Sequence, residues 1–560
     1  MTYRAPVTEM RFMLDHVLNA GRLSDTARYA EATPETVEAV LGEAARLSDE
    51  VLAPLRRAGD LHPARLENGV VRTSPGFADA YRAIADGGWV GIAADPEHGG
   101  MGLPVVLLTC VGEMMAGANL ALSLCPLLSQ GQIEAIEAHG DAAMRATYLP
   151  KLTSGEWTGT MNLTEPQAGS DVGAVRAKAE ALGDGSYAVT GQKIFISWGD
   201  HDVAENVCHL VLARLPDGAP GTRGLSLFLV PKFIPDADGR PGERNGVRAV
   251  SLEHKLGLHG SPTAVMEYDR ATGWLVGDAH QGMAAMFTMM NNARLGVGVE
   301  GVAQAEGALQ AAVAFAQERR QGRTADGTGT IADHADVRRM LATMTALTAS
   351  ARAICLDCAL SIDMARATGD AGWQARAAFL TPIAKAFGTD VGCEVASMAM
   401  QVFGGMGYIE EAGVAQFWRD VRVTAIYEGT NGIQAMDLVG RKLADDGAAA
   451  RALIAEIEAT AAGACGDRAA RMQLATARLS AATDWMLAAD ADDRNAGAVP
   501  YLRAFALALG ADYLVRAALA EPDRGPLADF HLRRLLPEVQ ALCAAACEGA
   551  AGLRAVDFTQ

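Results

Sequence analysis

The chain has 560 residues, of which half are hydrophobic and 21 % are charged, with a net charge of −19 and a sequence pI of about 5.1. This length is too great for one hydrophobic core and predicts several packed domains. An acidic surface of this size repels phosphate backbones and disfavours nucleic acid as a partner, while leaving room for a local basic pocket that binds an anionic cofactor.

The N-terminal residues, MTYRAPVTEMRFMLDHVLNAG, show neither an uninterrupted apolar stretch nor a small-residue cleavage site. They do not resemble a secretory signal. The most apolar segment, residues 105–128, is interrupted by Glu113, Asn119 and Pro126. These interruptions favour a buried helix over a membrane span.

Nine cysteines are scattered along the chain, and two pairs of them are closely spaced. Cys355 and Cys358 form a C-x-x-C pair, and Cys543 and Cys547 lie four residues apart, both in alanine-rich helical patterns without a nearby histidine. Metal or redox chemistry is one interpretation, but small buried apolar side chains suit these patterns better. We therefore predict no metal site and a location in the reducing cytoplasm.

Hydrophobic periodicity divides the chain into four predicted domains. Residues 1–158 are helical in pattern, residues 159–278 carry short alternating β-branched and aromatic runs, residues 279–445 return to long helices, and residues 446–560 are alanine-rich and helical. The predicted strands lie at 187–197, 207–215 and 224–233. Helices that are separated from strands in this way predict an α+β protein, mainly α, with an inserted β domain.

A glycine pattern at residues 296–301 matches G-x-G-x-x-G. It follows no predicted strand and lies inside a long helical pattern between Arg294 and Arg319, whereas the dinucleotide-binding motif requires a strand, a turn and then a helix. We interpret these glycines as small residues that allow two helices to approach closely.

A polar loop, MNLTEPQAGSD at residues 161–171, lies where helix gives way to strand. Thr164 can present a hydroxyl and backbone N–H groups to a planar ring, Gly169 allows close backbone approach, and Ser170 offers a donor. An ordinary turn-rich loop is an equal alternative.

A predicted strand, GQKIFISWG at residues 191–199, places Phe195 and Ser197 on one face. An aromatic ring and a hydroxyl spaced in this way could cover and hydrogen-bond a flat cofactor. An aromatic residue that packs across strands is the alternative.

A carboxylate in an apolar setting occurs at Glu428, which follows Ala425, Ile426 and Tyr427 and precedes Gly429. Apolar neighbours raise the pKa of a carboxylate, and a raised pKa suits a general base that works near neutral pH. A solvent-exposed glutamate at a helix end is the alternative.

Upstream, in QVFGGMGY at residues 401–408, paired glycines end a helix, either as a simple cap or to expose backbone.

Together and in this order, these segments resemble the acyl-CoA dehydrogenase family. Residues 161–171 resemble its TEP-x-AGSD flavin loop, residues 401–408 its Q-x-FGG-x-GY segment, and residues 427–434 its YEGT-x-x-IQ segment. The resemblance covers about residues 35–445. It implies an N-terminal helical domain, a middle β-barrel or sandwich, a C-terminal four-helix bundle, an additional helical domain, and FAD between the middle and C-terminal domains.

The resemblance also implies functional residues, with Glu428 as the catalytic base. The other position that provides the base in some members is occupied by Asn291 and Asn292, which cannot act as bases. Arg319 would face the FAD pyrophosphate of a neighbouring subunit, which implies a homo-oligomer, either a dimer or a tetramer. The implied FAD-binding residues are Met161, Leu163, Thr164, Gly169, Ser170, Phe195, Ile196, Ser197, Arg319, Gln401, Gly405, Thr430 and Asn431. The implied substrate-binding residues are Ser170, Arg294, Tyr427 and Gly429.

The implied activity is FAD-dependent α,β-dehydrogenation of an acyl-CoA thioester to the trans-2-enoyl-CoA, with electrons passing to an electron-transfer flavoprotein. The opening MTYRAPVTEM, the total length and the helices after residue 446 are similar to a larger subgroup of the family. This similarity implies 3-(methylthio)propanoyl-CoA, from dimethylsulfoniopropionate degradation, or a short- or medium-chain acyl-CoA as the substrate.

Three alternatives remain at this point. An acyl-CoA oxidase would pass the electrons to oxygen. A non-catalytic, DNA-associated flavoprotein of this fold is disfavoured by the net charge of −19. Nitroalkane oxidation is disfavoured because its relatives carry Asp at the position of Glu428.

Overall fold

The computed structural model describes residues 3–325 and 327–558 and is mainly helical, as predicted. The helices are α1 (Val7–Phe12), α2 (Pro34–Leu47), α3 (Arg56–Leu61), α4 (Phe77–Asp86), α5 (Val105–His139), α6 (Ala142–Thr153), α7 (Gly282–Glu318), α8 (Ala335–Thr368), α9 (Ala371–Phe403), α10 (Ala415–Val421), α11 (Asn431–Asp437), α12 (Ala448–Gly463), α13 (Asp467–Ala488), α14 (Ala491–Ala496), α15 (Ala498–Ala520), α16 (Gly525–Arg534), α17 (Glu538–Ala546) and α18 (Ala551–Arg554).

The strands cluster in the predicted β region. They are β1 (Arg65–Glu67), β2 (Val70–Arg72), β3 (Trp157–Asn162), β4 (Lys178–Ala181), β5 (Tyr187–Ser197), β6 (Asn206–Arg214), β7 (Leu225–Pro231), β8 (Phe233–Pro235), β9 (Pro241–Arg244), β10 (Val247–Leu252) and β11 (Thr263–Val276). The strand predicted at 187–197 is confirmed at both ends. The prediction that residues 1–158 are wholly helical is wrong at β1 and β2, which form a short antiparallel hairpin.

The chain folds into two compact units. The helical unit comprises Met1–Ala45, Pro104–Gly117 and Arg294–Gln560, and the mixed unit comprises Arg46–Leu103 and Ala118–Ala293. Helices α12–α18, which lie in the alanine-rich C-terminal region, belong to the helical unit. The four predicted domain ranges remain a prediction.

The main sheet of the mixed unit closes on itself. Strand β11 pairs with β5 and β7, β5 pairs with β4, β4 with β6, and β6 with β7, while β10 and β3 are attached to this ring. Strands β6 and β7 are almost wholly buried, which explains their nearly continuous apolar sequences. Of the two architectures that the resemblance implied, a barrel or a sandwich, the structure shows a closed barrel.

The glycines of the G-x-G-x-x-G pattern lie in α7, where this helix crosses α9 in the helical unit. A Cβ atom on Gly298 would lie 2.5 Å from the carbonyl oxygen of Ala384, and one on Gly301 would lie 2.2 Å from that of Gly388. The two backbones therefore touch, and no side chain fits between them. The predicted close approach of two helices is confirmed.

Three helices are long and apolar enough to cross a membrane by length and composition alone, namely α5, α8 and α15. Their most apolar windows are 89 %, 89 % and 83 % buried within the protein. The apolar sequence at 105–128 therefore forms a buried helix, as predicted, and this helix is kinked at Asn119.

A buried ionic network in the helical unit joins the C-terminal helices to α8 and α9. Asp357 accepts hydrogen bonds from Arg376 Nη2 at 2.6 Å and from the Tyr513 hydroxyl at 2.5 Å. Arg376 also donates to Glu456 of α12 at 2.6 Å. Because each buried charge has a partner, α12 and α15 are fixed to the helices that carry the candidate active site.

The cysteines of both pairs behave mainly as small core side chains. Cys355, Cys358 and Cys543 are buried, while Cys547 is partly exposed. Burial raises the pKa of Cys358 to about 12, which disfavours the reactive thiolate. The interpretation of the three buried cysteines as apolar side chains is confirmed.

Candidate active site

Glu428 lies in a strained turn between α10 and α11 of the helical unit. Its φ angle is +54°, and that of Gly429 is +81°. A residue other than glycine in this left-handed region costs about 1–3 kcal/mol, and such residues concentrate at functional sites. The Gln434 side chain holds the turn by donating to the carbonyl oxygens of Glu428 at 3.1 Å and Gly429 at 3.4 Å.

The environment of the Glu428 carboxyl group suits a general base. Burial raises its pKa from 4.5 to about 7, and the nearby cations of Arg294 and Lys385 limit this rise. The side chain is partly exposed, so that it remains accessible to a ligand. A carboxyl group with this pKa is substantially deprotonated at neutral pH and still basic enough to accept a proton.

Both cations beside Glu428 are buried. Arg294 in α7 pairs with Asp437 of α11, with 3.4 Å between Nη1 and Oδ2. Lys385 in α9 donates from Nζ to Asn431 Oδ1 at 2.8 Å, and burial lowers its pKa to about 8. Arg294 was predicted as a substrate contact, whereas Lys385 was not predicted, although an isolated lysine in the apolar sequence PIAKAFG indicates a buried charge that needs a partner.

A second buried carboxyl group, that of Glu300, is hydrogen-bonded to the residue that precedes Glu428. The Tyr427 hydroxyl donates a short hydrogen bond to Glu300 Oε2. Glu300 is only 2 % exposed, and burial raises its pKa to about 8. Glu300 was not predicted as a site residue, because it lies within the glycine pattern that was interpreted as helix packing. Tyr427 was predicted to bind the substrate, whereas in the structure its hydroxyl is bound to Glu300 of α7.

Thr430 and Asn431 begin α11. The Thr430 hydroxyl caps this helix by accepting from Ile433 N at 3.4 Å. The Asn431 side chain is bound to α9 through Lys385, the Ala386 carbonyl, Thr389 and Asp390. A contact of Asn431 with a phosphate group would therefore involve its backbone.

The other predicted residues of the helical unit lie on exposed surfaces. Gln401 and Gly405 flank the end of α9, where Gly404 takes a φ of +61°. Arg319 follows the last residue of α7 and is exposed, and its guanidinium forms no ion pair with any residue that the structure describes. The exposed guanidinium of Arg319 can therefore bind an anionic ligand.

In the mixed unit, a buried ion pair shapes the loop at 161–171. Lys193 Nζ donates to the Leu163 carbonyl oxygen and to Glu165 Oε1, both at 2.9 Å, and neither charged group is exposed beyond 3 %. Glu165 also accepts from the backbone N–H groups of Arg176 and Ala177. This pair fixes the loop backbone, while Gly169 and Ser170 stay exposed and Met161 is partly exposed.

Phe195 occupies a β-bulge in β5. Two residues of β5, Ile194 and Phe195, lie opposite Val265 of β11, and Phe195 has a φ of +59°. Its ring is 60 % exposed, whereas the neighbouring Ile196 is buried. The Ile196 side chain is therefore part of the core, and only its backbone could contact a cofactor.

Family models match most of the chain. They are the acyl-CoA dehydrogenase N-terminal domain at residues 34–156, the middle domain at 160–271, the C-terminal domain at 280–444, and an acetyl-CoA dehydrogenase C-terminal-like domain at 453–557. The chain belongs to the acyl-CoA dehydrogenase family. As a member, it is an oxidoreductase that uses FAD to dehydrogenate acyl-CoA thioesters.

Individual relatives agree with this assignment. The chain is 46 % identical to 3-methylmercaptopropionyl-CoA dehydrogenase of Ruegeria pomeroyi, over 90 % of this chain and 88 % of the relative. It is 35 % identical to the broad-specificity linear acyl-CoA dehydrogenase FadE5 of Mycobacterium tuberculosis, over 79 % and 76 % of the two chains. The fold matches an acyl-CoA dehydrogenase from Bacillus anthracis in complex with FAD, with a TM-score of 0.76, 19 % identity and coverage of 97 % and 92 %.

The side chains of this acyl-CoA dehydrogenase suit FAD. In the mixed unit, Thr164 and Ser197 are partly exposed residues whose hydroxyls have no hydrogen-bond partner among the described residues, and the exposed Phe195 ring can cover a planar group. In the helical unit, the exposed Arg319 suits a pyrophosphate. The FAD contacts of these residues, in the mixed unit and in the helical unit, remain predictions.

Proposed function

We propose that this acyl-CoA dehydrogenase oxidises 3-(methylthio)propanoyl-CoA and that Glu428 removes the α-proton. The strained turn that holds Glu428 beside two buried cations carries the proposal for the base. The 46 % identity to a 3-methylmercaptopropionyl-CoA dehydrogenase over nearly the whole of both chains supports the proposed substrate. This substrate would place the enzyme in the degradation of dimethylsulfoniopropionate.

The chemistry requires a base for a weakly acidic proton and a favourable environment for the charge that its removal creates. Deprotonated Glu428 accepts the α-proton and becomes neutral. Arg294 and Lys385 then offset the negative charge that develops on the thioester, because charges in a buried site interact more strongly than in water. FAD, when bound, supplies the acceptor for the β-hydride, and the loss of both hydrogens leaves the α,β double bond.

A panel of acyl-CoA esters tests the proposed substrate. Pentanoyl-CoA has the same chain length as 3-(methylthio)propanoyl-CoA, with a methylene in place of sulfur, and is the matched control. We expect 3-(methylthio)propanoyl-CoA to give the highest kcat/KM. Short- and medium-chain esters should follow, because one methylene changes binding in an apolar pocket by about 1–3 kcal/mol. A higher kcat/KM for octanoyl-CoA would contradict the proposed substrate and leave the proposed base untouched.

The electron acceptor, location and assembly are also proposals. We propose an electron-transfer flavoprotein as the acceptor, because the family resemblance implies one. The nine cysteines are all free thiols in the structure, which supports a cytoplasmic location. The exposed Arg319 supports a homo-oligomer in which it faces a neighbouring cofactor. Peroxide formed in step with turnover in air would contradict the proposed acceptor and favour an oxidase.

A further inference from the structure

Glu428 is held from both sides along the chain. On its C-terminal side, Gln434 binds the carbonyl oxygens of Glu428 and Gly429. On its N-terminal side, the hydroxyl of Tyr427 is bound to Glu300 of α7. The first contact acts within the same turn, whereas the second ties the turn to a separate helix.

Glu300 is a rigid anchor for this contact. It lies between Gly298 and Gly301, the two positions at which the backbone of α7 touches that of α9. Glu300 is buried, and Oε1 has no hydrogen-bond partner among the described residues. A buried carboxyl oxygen without a partner is costly, so that a residue of this kind in a helix packing contact calls for a function beyond packing.

The charges around Glu300 come from three elements. Lys385 of α9 and Glu428 of the turn both act on its carboxyl group, and Tyr427 is its hydrogen-bond donor. Arg294 lies on the same helix, α7, and acts on Glu428. Glu300 therefore belongs to the same electrostatic cluster as the proposed base.

We propose that Glu300 is a positioning residue, which holds the Tyr427 hydroxyl and thereby keeps Glu428 in the left-handed conformation from which it accepts the α-proton. This inference rests on the proposed role of Glu428. Loss of the contact releases the strained turn, and the carboxylate then spends less time aligned with the substrate. Displacement of a catalytic group by about 1 Å can cost about 100-fold in rate.

Four variants test the proposal in the FAD-loaded enzyme, by anaerobic stopped-flow measurement of flavin reduction. Tyr427→Phe removes the donor and Glu300→Met removes the acceptor. Each should slow flavin reduction by about 10- to 100-fold, with substrate affinity changed by less than about threefold. The double variant should be no slower than the slower single variant, because both changes remove one interaction. Glu300→Gln keeps an acceptor oxygen and should retain most of the rate.

Tyr513→Phe is the matched control. It removes a hydrogen bond of the same kind, from Tyr513 to the buried Asp357 in the same unit, and neither of these groups is among those that act electrostatically on Glu428 or Glu300. It should lower the melting temperature but leave the rate of flavin reduction unchanged. FAD content and melting temperature are measured for every variant.

The proposal is overturned if Tyr427→Phe and Glu300→Met reduce their flavin at the wild-type rate. It is also overturned if the two losses multiply in the double variant, or if Tyr513→Phe slows the reaction equally. The role of Glu428 as the base is tested separately with Glu428→Gln. If Glu428→Gln is inactive while Tyr427→Phe is fully active, Glu428 remains the base and only the positioning role of Glu300 is rejected.

Discussion

The protonation of Glu428 results from burial opposed by two cations. Burial favours the neutral acid, and Arg294 and Lys385 favour the carboxylate, so that the pKa lies at about 7 rather than 4.5. Between about pH 4.5 and pH 7, the carboxyl group of Glu428 loses its proton in the unfolded chain but keeps it in the folded enzyme. Glu428 therefore destabilises the fold increasingly as pH rises from about 4.5 to 7, which is a cost of placing a base in this environment.

The pH profile of kcat/KM tests this balance of charges. The rate should rise with pH around 7, because Glu428 must be deprotonated to accept the α-proton. Lys385→Met removes a cation that lowers the pKa of Glu428, and we expect the rising limb of the profile to move to higher pH. Lys178→Met, at a side chain that is 60 % exposed in the mixed unit, is the control and should leave the profile unchanged. A profile that moves to lower pH in Lys385→Met would refute this account of the site.

The site residues that were predictable from sequence are those whose informative neighbours are adjacent along the chain. Glu428 was recognisable as a candidate base, because its apolar neighbours and Gly429 are adjacent to it along the chain, and the family motif at residues 427–434 implied its catalytic role. Glu300 was not predictable, because a glutamate inside a helix is ordinarily solvated, and its meaning comes from a contact with Tyr427, 127 residues away. The Asn431 side chain likewise binds α9 through contacts that are distant in sequence.

At the scale of elements, the contact between α7 and α9 determines where Arg294, Glu300 and Lys385 lie. The first two side chains are on α7 and the third is on α9. Gly298, Gly301 and Gly388 allow the two helices to touch at the backbone. The glycine pattern therefore serves the active site through packing rather than by binding a phosphate.

Substitution of Gly301 tests this contact. A Cβ atom at this position would lie 2.2 Å from a backbone oxygen that cannot move independently of its helix. We expect Gly301→Ala to lower the free energy of unfolding by about 1–3 kcal/mol, measured by chemical denaturation of the FAD-loaded enzyme. Gly42→Ala is the control in α2, where a Cβ atom meets nothing within 4 Å, and should raise stability by up to about 1 kcal/mol. Equal stability of the two variants would contradict the packing role.

Strand prediction succeeded where the alternating pattern was long. Strand β5 has eleven residues, contains a bulge at Ile194 and Phe195, and was predicted at both boundaries. The hairpin of β1 and β2 was missed because each strand has only three residues. The available signal was Asn68-Gly69, which takes up the two left-handed positions of its turn.

At the scale of the whole molecule, fold class and chemistry followed from separate features of the sequence. Periodicity predicted a mainly helical protein with an inserted β domain, and the family resemblance implied that this domain is a barrel or a sandwich. The family motifs, rather than composition, predicted the FAD-dependent reaction, and the family models and relatives confirm both. The division into two units was not predictable from periodicity, because the helical unit draws on three separated parts of the chain.

The central claim is that one carboxyl group, that of Glu428, starts the reaction. The most direct measurement is the rate of flavin bleaching when the Glu428→Gln enzyme is mixed anaerobically with the acyl-CoA ester that reduces the wild-type enzyme fastest. We expect normal FAD content and ester binding, with bleaching slowed by about 100- to 10,000-fold, the usual contribution of a general base. Bleaching at the wild-type rate would show that another group removes the proton and would contradict the account.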